Sequence, residues 1–206
     1  MRASFYADST GLANPEGAVS DLAIEKSGSS LSAMLIILSG LPGVGKTAIA
    51  RELAAQTGAV HLRIDSIEQA IRTSQSPPTS LDDAGYRVAY AVAVDNLRIG
   101  LTVIADSVNP IPLTRDAWLE VAARAGAHAI EIEVQCPDAA EHRRRVETRV
   151  SDVPGLRLPT WEEVLAREYA PWNRGHLVLD SVSTTLDQNV KIIQDAVARA
   201  RSGSAL

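Results

Sequence analysis

Hydrophobic positions along this 206-residue chain follow two alternating patterns. Residues 34–38 and 101–105 are short continuous apolar runs, the mark of strands buried on both faces. Residues 59–64 predict a further strand that ends at Asp65, and 177–179 a short last one. Residues 129–134 alternate apolar and acidic side chains with period two, which predicts a less covered or edge strand. Between these runs the apolar residues recur at helical spacing. Helices are predicted over 48–55, closed by Gly58, over 66–72, 81–99 and 113–125, closed by Gly126, and over 138–149. Another starts near Trp161 behind a Thr160/Glu163 capping box, and the last covers 186–200 with Val190, Ile193 and Val197 on one face. The stretches 73–80 and 150–159 carry the prolines and small polar residues of loops.

Strands alternating with helices predict an α/β three-layer sandwich, a parallel sheet covered by helices on both faces. In such sheets ligands sit at the carboxyl ends of the strands. Asp65, Asp106 and the glycine-rich stretch 40–47 all fall there. The first 33 residues differ: they are rich in Ser, Gly and Ala, have no sustained apolar period, and are expected to be disordered. Met34 begins the first strand and is also a candidate translation start. The folded domain is expected over 34–206.

Composition narrows the picture only a little. Hydrophobic content of 46% and charged content of 22% suit a water-soluble globular domain. A net charge of −5 argues against duplex nucleic-acid binding by bulk charge. The single cysteine, Cys136, excludes an internal disulfide and points to a cytoplasmic setting; at a strand end it reads as a core residue. No apolar run is long enough for a membrane span. The four histidines show no metal-ligand spacing.

The chemistry is concentrated in Gly40-Leu41-Pro42-Gly43-Val44-Gly45-Lys46-Thr47, a G-x-x-x-x-G-K-T pattern between a predicted strand and a helix that opens at Ala48. Glycines allow main-chain N–H groups to approach a phosphate chain, and the helix start adds partial positive charge. Lys46 suits the β- and γ-phosphates, and Thr47 suits Mg²⁺. Asp106 ends an apolar strand, as a second metal-side group would; Ser107 and Asn109 follow it as candidates for metal, phosphate or acceptor. Asp65 suits the proton of an acceptor hydroxyl, and equally an N-cap. Arg143, Arg144, Arg145 and Arg149 end a helix that runs into a Gly/Pro loop, an arrangement that suits a mobile lid over about 145–160. Arg145 and Arg149 share a face, while Glu141 offers Arg145 an i,i+4 partner on a solvated surface. Arg115 and Arg157 are weaker candidates for the same work. Trp161 and Trp172 read as packing residues. No N-K-x-D guanine-recognition pattern is present.

Residues 34–200 resemble P-loop kinases of small molecules and nucleic-acid ends, a group that includes AAA-type ATPases by designation. Ile104-Ala105-Asp106-Ser107-Val108-Asn109, with Arg115 beyond it, is similar to the Asp-x-x-Asn segment of polynucleotide-kinase-like proteins. Arg63-Ile64-Asp65-Ser66-Ile67 resembles the strand-end Asp segment of chloramphenicol phosphotransferase and zeta-toxin-type kinases, and Arg145-Val146-Glu147-Thr148-Arg149 the lid arginine pair. The resemblance implies a nucleoside-monophosphate-kinase type of P-loop fold, ATP–Mg²⁺ as donor and a hydroxyl as acceptor. Asp65 would act as the acceptor-side base. A small-molecule hydroxyl is the favoured acceptor. A 5′-hydroxyl nucleic-acid end, or a regulatory ATPase with a protein partner and no phosphorylated acceptor, are the alternatives.

Overall fold

The computed structural model describes residues 33–74 and 83–203. The chain runs β1 (Met34–Ser39), α1 (Lys46–Thr57), β2 (Val60–Arg63), α2 (Ile64–Ser74), α3 (Ala84–Arg98), β3 (Val103–Asp106), α4 (Pro112–Ala125), β4 (His128–Gln135), α5 (Ala139–Thr148), α6 (Trp161–Leu165), β5 (Leu177–Asp180) and α7 (Leu186–Arg201). The expected disordered extension falls outside the described residues except for Ala33, as do residues 75–80 of the expected loop and the first two of the helix expected from 81.

Five parallel strands form one sheet in the order β2-β3-β1-β4-β5. Strand β1 is central and wholly buried, as its unbroken apolar run requires. Its side chains divide by parity. Met34, Ile36 and Leu38 pack with Ile49 and Leu53 of α1 and Val190 and Ile193 of α7. Leu35 and Ile37 pack with Ala89, Ala93 and Leu97 of α3 and Trp118 and Val121 of α4. The three-layer α/β sandwich is therefore present, with Cys136 buried in the α1/α7 layer. No described helix is long and apolar enough to cross a membrane.

The expectation for β4 is overturned. It lies between β1 and β5 rather than at the edge, and Glu131 and Glu133 are buried. The segment after α6 and the end of β4 itself supply their partners. Arg174 donates twice to Glu131, at 2.6 Å each, and His176 and Gln135 contact Glu133. Alternation with acids thus marks a strand whose carboxylates are covered by polar partners, not an uncovered one. A smaller correction concerns Asp65: α2 begins at Ile64, so this carboxylate lies in the first helical turn and not between strand and helix.

Candidate functional site

Residues 40–47 turn the chain from β1 into α1 at the carboxyl end of the sheet. Two glycines there have no substitute. A Cβ on Gly40, at φ 134°, would lie 2.3 Å from the Val134 carbonyl oxygen; one on Gly43, at φ 89°, would lie 2.5 Å from Val146 Cγ2. Helix α5 therefore presses directly on the loop. His142 of α5 reinforces the contact: its Nε2 lies 2.8 Å from the Pro42 carbonyl oxygen, so Nε2 carries the donated proton. Val44 is buried beneath the loop, anchoring it to the core. The first N–H groups of α1, from Lys46, Thr47 and Ala48, have no partners within the helix, which makes this end an anion site.

Lys46 is 7% exposed and folds back, donating to the carbonyls of Gly40 at 2.7 Å and Leu41 at 2.9 Å. Burial pushes its ammonium down to about 8, against the opposing pull of Asp106 and Asp65; Arg149 and Arg167 lower it further. Asp106 ends β3 and is 4% exposed. Burial alone would raise its carboxyl. The hydrogen bond from His61, 3.2 Å away, with the Lys46 charge and the Thr47 hydroxyl, outweighs that and holds it below the usual carboxylate range. Thr47 and Asp106 thus face one another beside the lysine, a fit for a divalent cation shared with a phosphate chain. Among the described residues no group of three or more His, Cys, Asp or Glu side chains could hold a metal without such help.

These groups open into a cleft of about 740 Å³ between the phosphate loop, α2 and the coil that follows α5. Asp65, Glu68 and Arg72 form its α2 wall, on one helical face by their spacing. Burial raises the Glu68 carboxyl, although Arg72, 3.5 Å away, works against this. Tyr86 of α3 also lines the cleft, its phenol pushed up to about 12 by burial. Nine cationic side chains and only four carboxylates line the cleft, in a chain of net charge −5. Cations are therefore concentrated where the loop N–H groups already point.

The lid arginines divide. Arg149 caps α5 at the cleft; its Nε is buried without a hydrogen-bond partner, and burial lowers its pKa although Asp65 opposes that. Arg145 instead bonds Glu141 at 2.7 Å and Ser181 through its Oγ at 2.9 Å and its carbonyl oxygen at 3.0 Å. It is thereby tied to the loop after β5, although both arginines line the cleft. Arg143 and Arg144 are exposed and paired with Glu147 and Glu141. The coil 149–160 lies over the cleft, where Asp152 bonds Arg51 and Arg63, the latter at 2.8 Å, and Gln69 reaches the Pro154 carbonyl at 3.3 Å.

Two further expectations need correction. Asn109 is fully buried, with its side chain on Leu38, Ser39, Ser107 and Trp118, so it is closed to metal or substrate. Arg115 is 1% exposed, its donors taken by backbone carbonyls. Arg157 lines the cleft and pairs with Glu163. Trp161 packs edge-on against His142, as expected of a packing residue. Among the site residues not singled out from sequence are His61, Arg63, Glu68, Arg72, Tyr86, Asp152 and Arg167. Glu68 and Arg72 had a signal, their helical spacing from Asp65, and Arg63 lies two residues before Asp65 and pairs with it at 3.8 Å; His61, Asp152 and Arg167 meet the site through contacts distant in sequence.

A family model described as an AAA domain matches residues 35–168. No curated protein matches the chain. Among solved structures, Kti12 of Chaetomium thermophilum in complex with ADP-AlF3 is 27% identical, covers 79% of this chain and 98% of its own, and superposes with a TM-score of 0.58. The APS kinase CysC of Mycobacterium tuberculosis in complex with AMPPNP and APS is 16% identical, with coverage of 81% and 98% and a TM-score of 0.61. A gluconokinase from Sinorhizobium meliloti is 17% identical, with coverage of 84% and 95% and a TM-score of 0.57. At such identities the last two share the fold alone.

Proposed function

The chain belongs to the AAA-domain family, in the P-loop kinase-like group, and on that premise we propose that it is an ATP-dependent kinase acting on a hydroxyl of a small molecule. The observation that carries this reading is the convergence of three groups: Lys46 in the phosphate loop senses both Asp106 and Asp65 across one cleft. A switch protein needs the first two; a carboxylate facing them from α2 is what an acceptor needs.

The N–H groups of residues 43–48 and Lys46 hold the donor phosphates. Thr47 and Asp106 hold Mg²⁺, which supplies charge neutralisation on the phosphate chain when bound. Asp65 orients the acceptor hydroxyl. As the acceptor oxygen bonds to the γ-phosphorus, the bond from that phosphorus to the β–γ bridging oxygen breaks and its electron pair leaves with ADP. The hydroxyl proton passes to an Asp65 carboxylate oxygen. Arg149, the lid arginine whose Nε lacks a partner, neutralises charge on the moving phosphoryl group. The cleft of about 740 Å³ falls in the usual range for small ligands. The structures of Kti12 with ADP-AlF3 and CysC with AMPPNP support nucleotide binding.

A second reading, transfer to a 5′-hydroxyl nucleic-acid end, is favoured by the excess of cations around Asp65. One experiment separates them: γ-phosphate-labelled ATP offered with a panel of hydroxyl-bearing metabolites, antibiotics and 5′-hydroxyl oligonucleotides. Label on a small molecule is the expected result. Label only on oligonucleotides selects the second reading, and label released only as inorganic phosphate rejects both.

A further inference from the structure

Arg115 is the most deeply buried cation of the described chain, at 1% exposure, and it forms no ion pair among the described residues. Its guanidinium joins two segments distant in sequence. Nε donates to the Asn109 carbonyl at 2.9 Å and Nη2 to that of Pro110 at 3.3 Å, both in the loop after β3. Nη2 also donates to Ala170 at 2.7 Å and Nη1 to Pro171 at 3.2 Å, both in the segment after α6. Trp172 and Tyr169 lie against it, with ring centroids 4.2 and 5.2 Å from Cζ. The Ala170 N–H closes the junction on the Pro110 carbonyl at 2.7 Å.

Both joined segments carry cleft residues. The first begins at Asp106 and Ser107. The second carries Arg167, three residues before Ala170. Arg167 lines the cleft, forms no ion pair among the described residues, and acts electrostatically on both Lys46 and Glu68. A buried cation with no counter-ion is an expensive way to join two loops. The arrangement fits a requirement for fixed distance, because the fork of a guanidinium sets the spacing of the carbonyls it holds.

We propose that Arg115 is a positioning residue that locks the segment after α6 to the loop after β3 and so holds Arg167 against the terminal phosphate of the bound donor. This rests on the kinase reading above. Arg167 touches the phosphate; Arg115 acts only through it.

The test compares binding of ADP and of a non-hydrolysable ATP analogue, each with Mg²⁺, to the full chain by calorimetry. Arg167→Ala is expected to weaken the triphosphate about tenfold and leave ADP within about twofold, as loss of one charged phosphate contact predicts. Arg115→Met is expected to show the same split, and the double variant to bind within about twofold of either single one. Arg115→Lys keeps the charge without the fork; it is the milder variant should Arg115→Met fail to fold, and its expected split is the same and smaller. A purely structural role would lower both nucleotides together. Equal weakening of ADP and triphosphate by Arg115→Met or Arg115→Lys, or independent additive losses in the double variant, overturns the proposal while leaving the kinase reading intact. A wild-type chain that binds neither nucleotide overturns both.

Discussion

The two halves of the cleft are built from different materials. On the kinase reading proposed above, the donor half is mostly main chain: glycines at 40 and 43, the first N–H groups of α1, and one lysine, all close in sequence and pressed in place by α5. The rest of the cleft, which on that reading takes the acceptor, is lined by side chains: Asp65, Glu68 and Arg72 from α2, Tyr86 from α3, and arginines from the coil and segment beyond α5. Main-chain N–H groups recognise phosphate in the same way whatever the substrate. Side chains projecting from a helix face are replaceable one at a time. The contrast teaches where this fold is constant and where it is free to vary.

Three perturbations test that contrast, two on the donor half and one on its pH response. Lys46→Ala removes the only cation of the phosphate loop and should cost phosphate transfer on the order of 10²–10³-fold, measured as ADP release with labelled ATP. Gly43→Ala places a methyl group against Val146 at a positive φ. It should destabilise the fold by about 1–3 kcal/mol in denaturant unfolding, and disturb the loop with it. The smallest effect is on pH. Lys46 loses its proton above about 8, so affinity for ATP should be flat below that value and fall up to about tenfold over the next unit. Lys46→Arg should remove the dependence. The same shift acts on the ligand-free fold with opposite sign. Between about 8 and the ordinary lysine range the unfolded chain binds the proton more tightly, so stability rises with pH through that window.

The same contrast explains how much could be read from sequence. The strands, the helices and the phosphate loop were legible because each is set by residues adjacent in the chain or at fixed period. The capping box at Thr160 and Glu163 is present as read, with both reciprocal hydrogen bonds. What failed depended on partners far away. Glu131 and Glu133 resembled edge residues until Arg174 and His176 met them. Arg145 lines the cleft as read, but its bond to Ser181, 36 positions away, had no local signal. Arg115 spends its donors on backbone carbonyls, and Asn109 its amide on Ser39, Ser107, Trp118 and the Leu38 carbonyl; no local pattern distinguishes that use.

The central claim is that Asp65 belongs to the acceptor half and takes no part in holding the donor. The most direct measurement is Asp65→Asn, with nucleotide affinity and transfer of labelled phosphate to the acceptor determined on the same preparation. The expected result is ATP affinity within about twofold of wild type with transfer reduced on the order of 10²–10⁴-fold. Transfer at the wild-type rate, or loss of ATP affinity in proportion to loss of transfer, would contradict it.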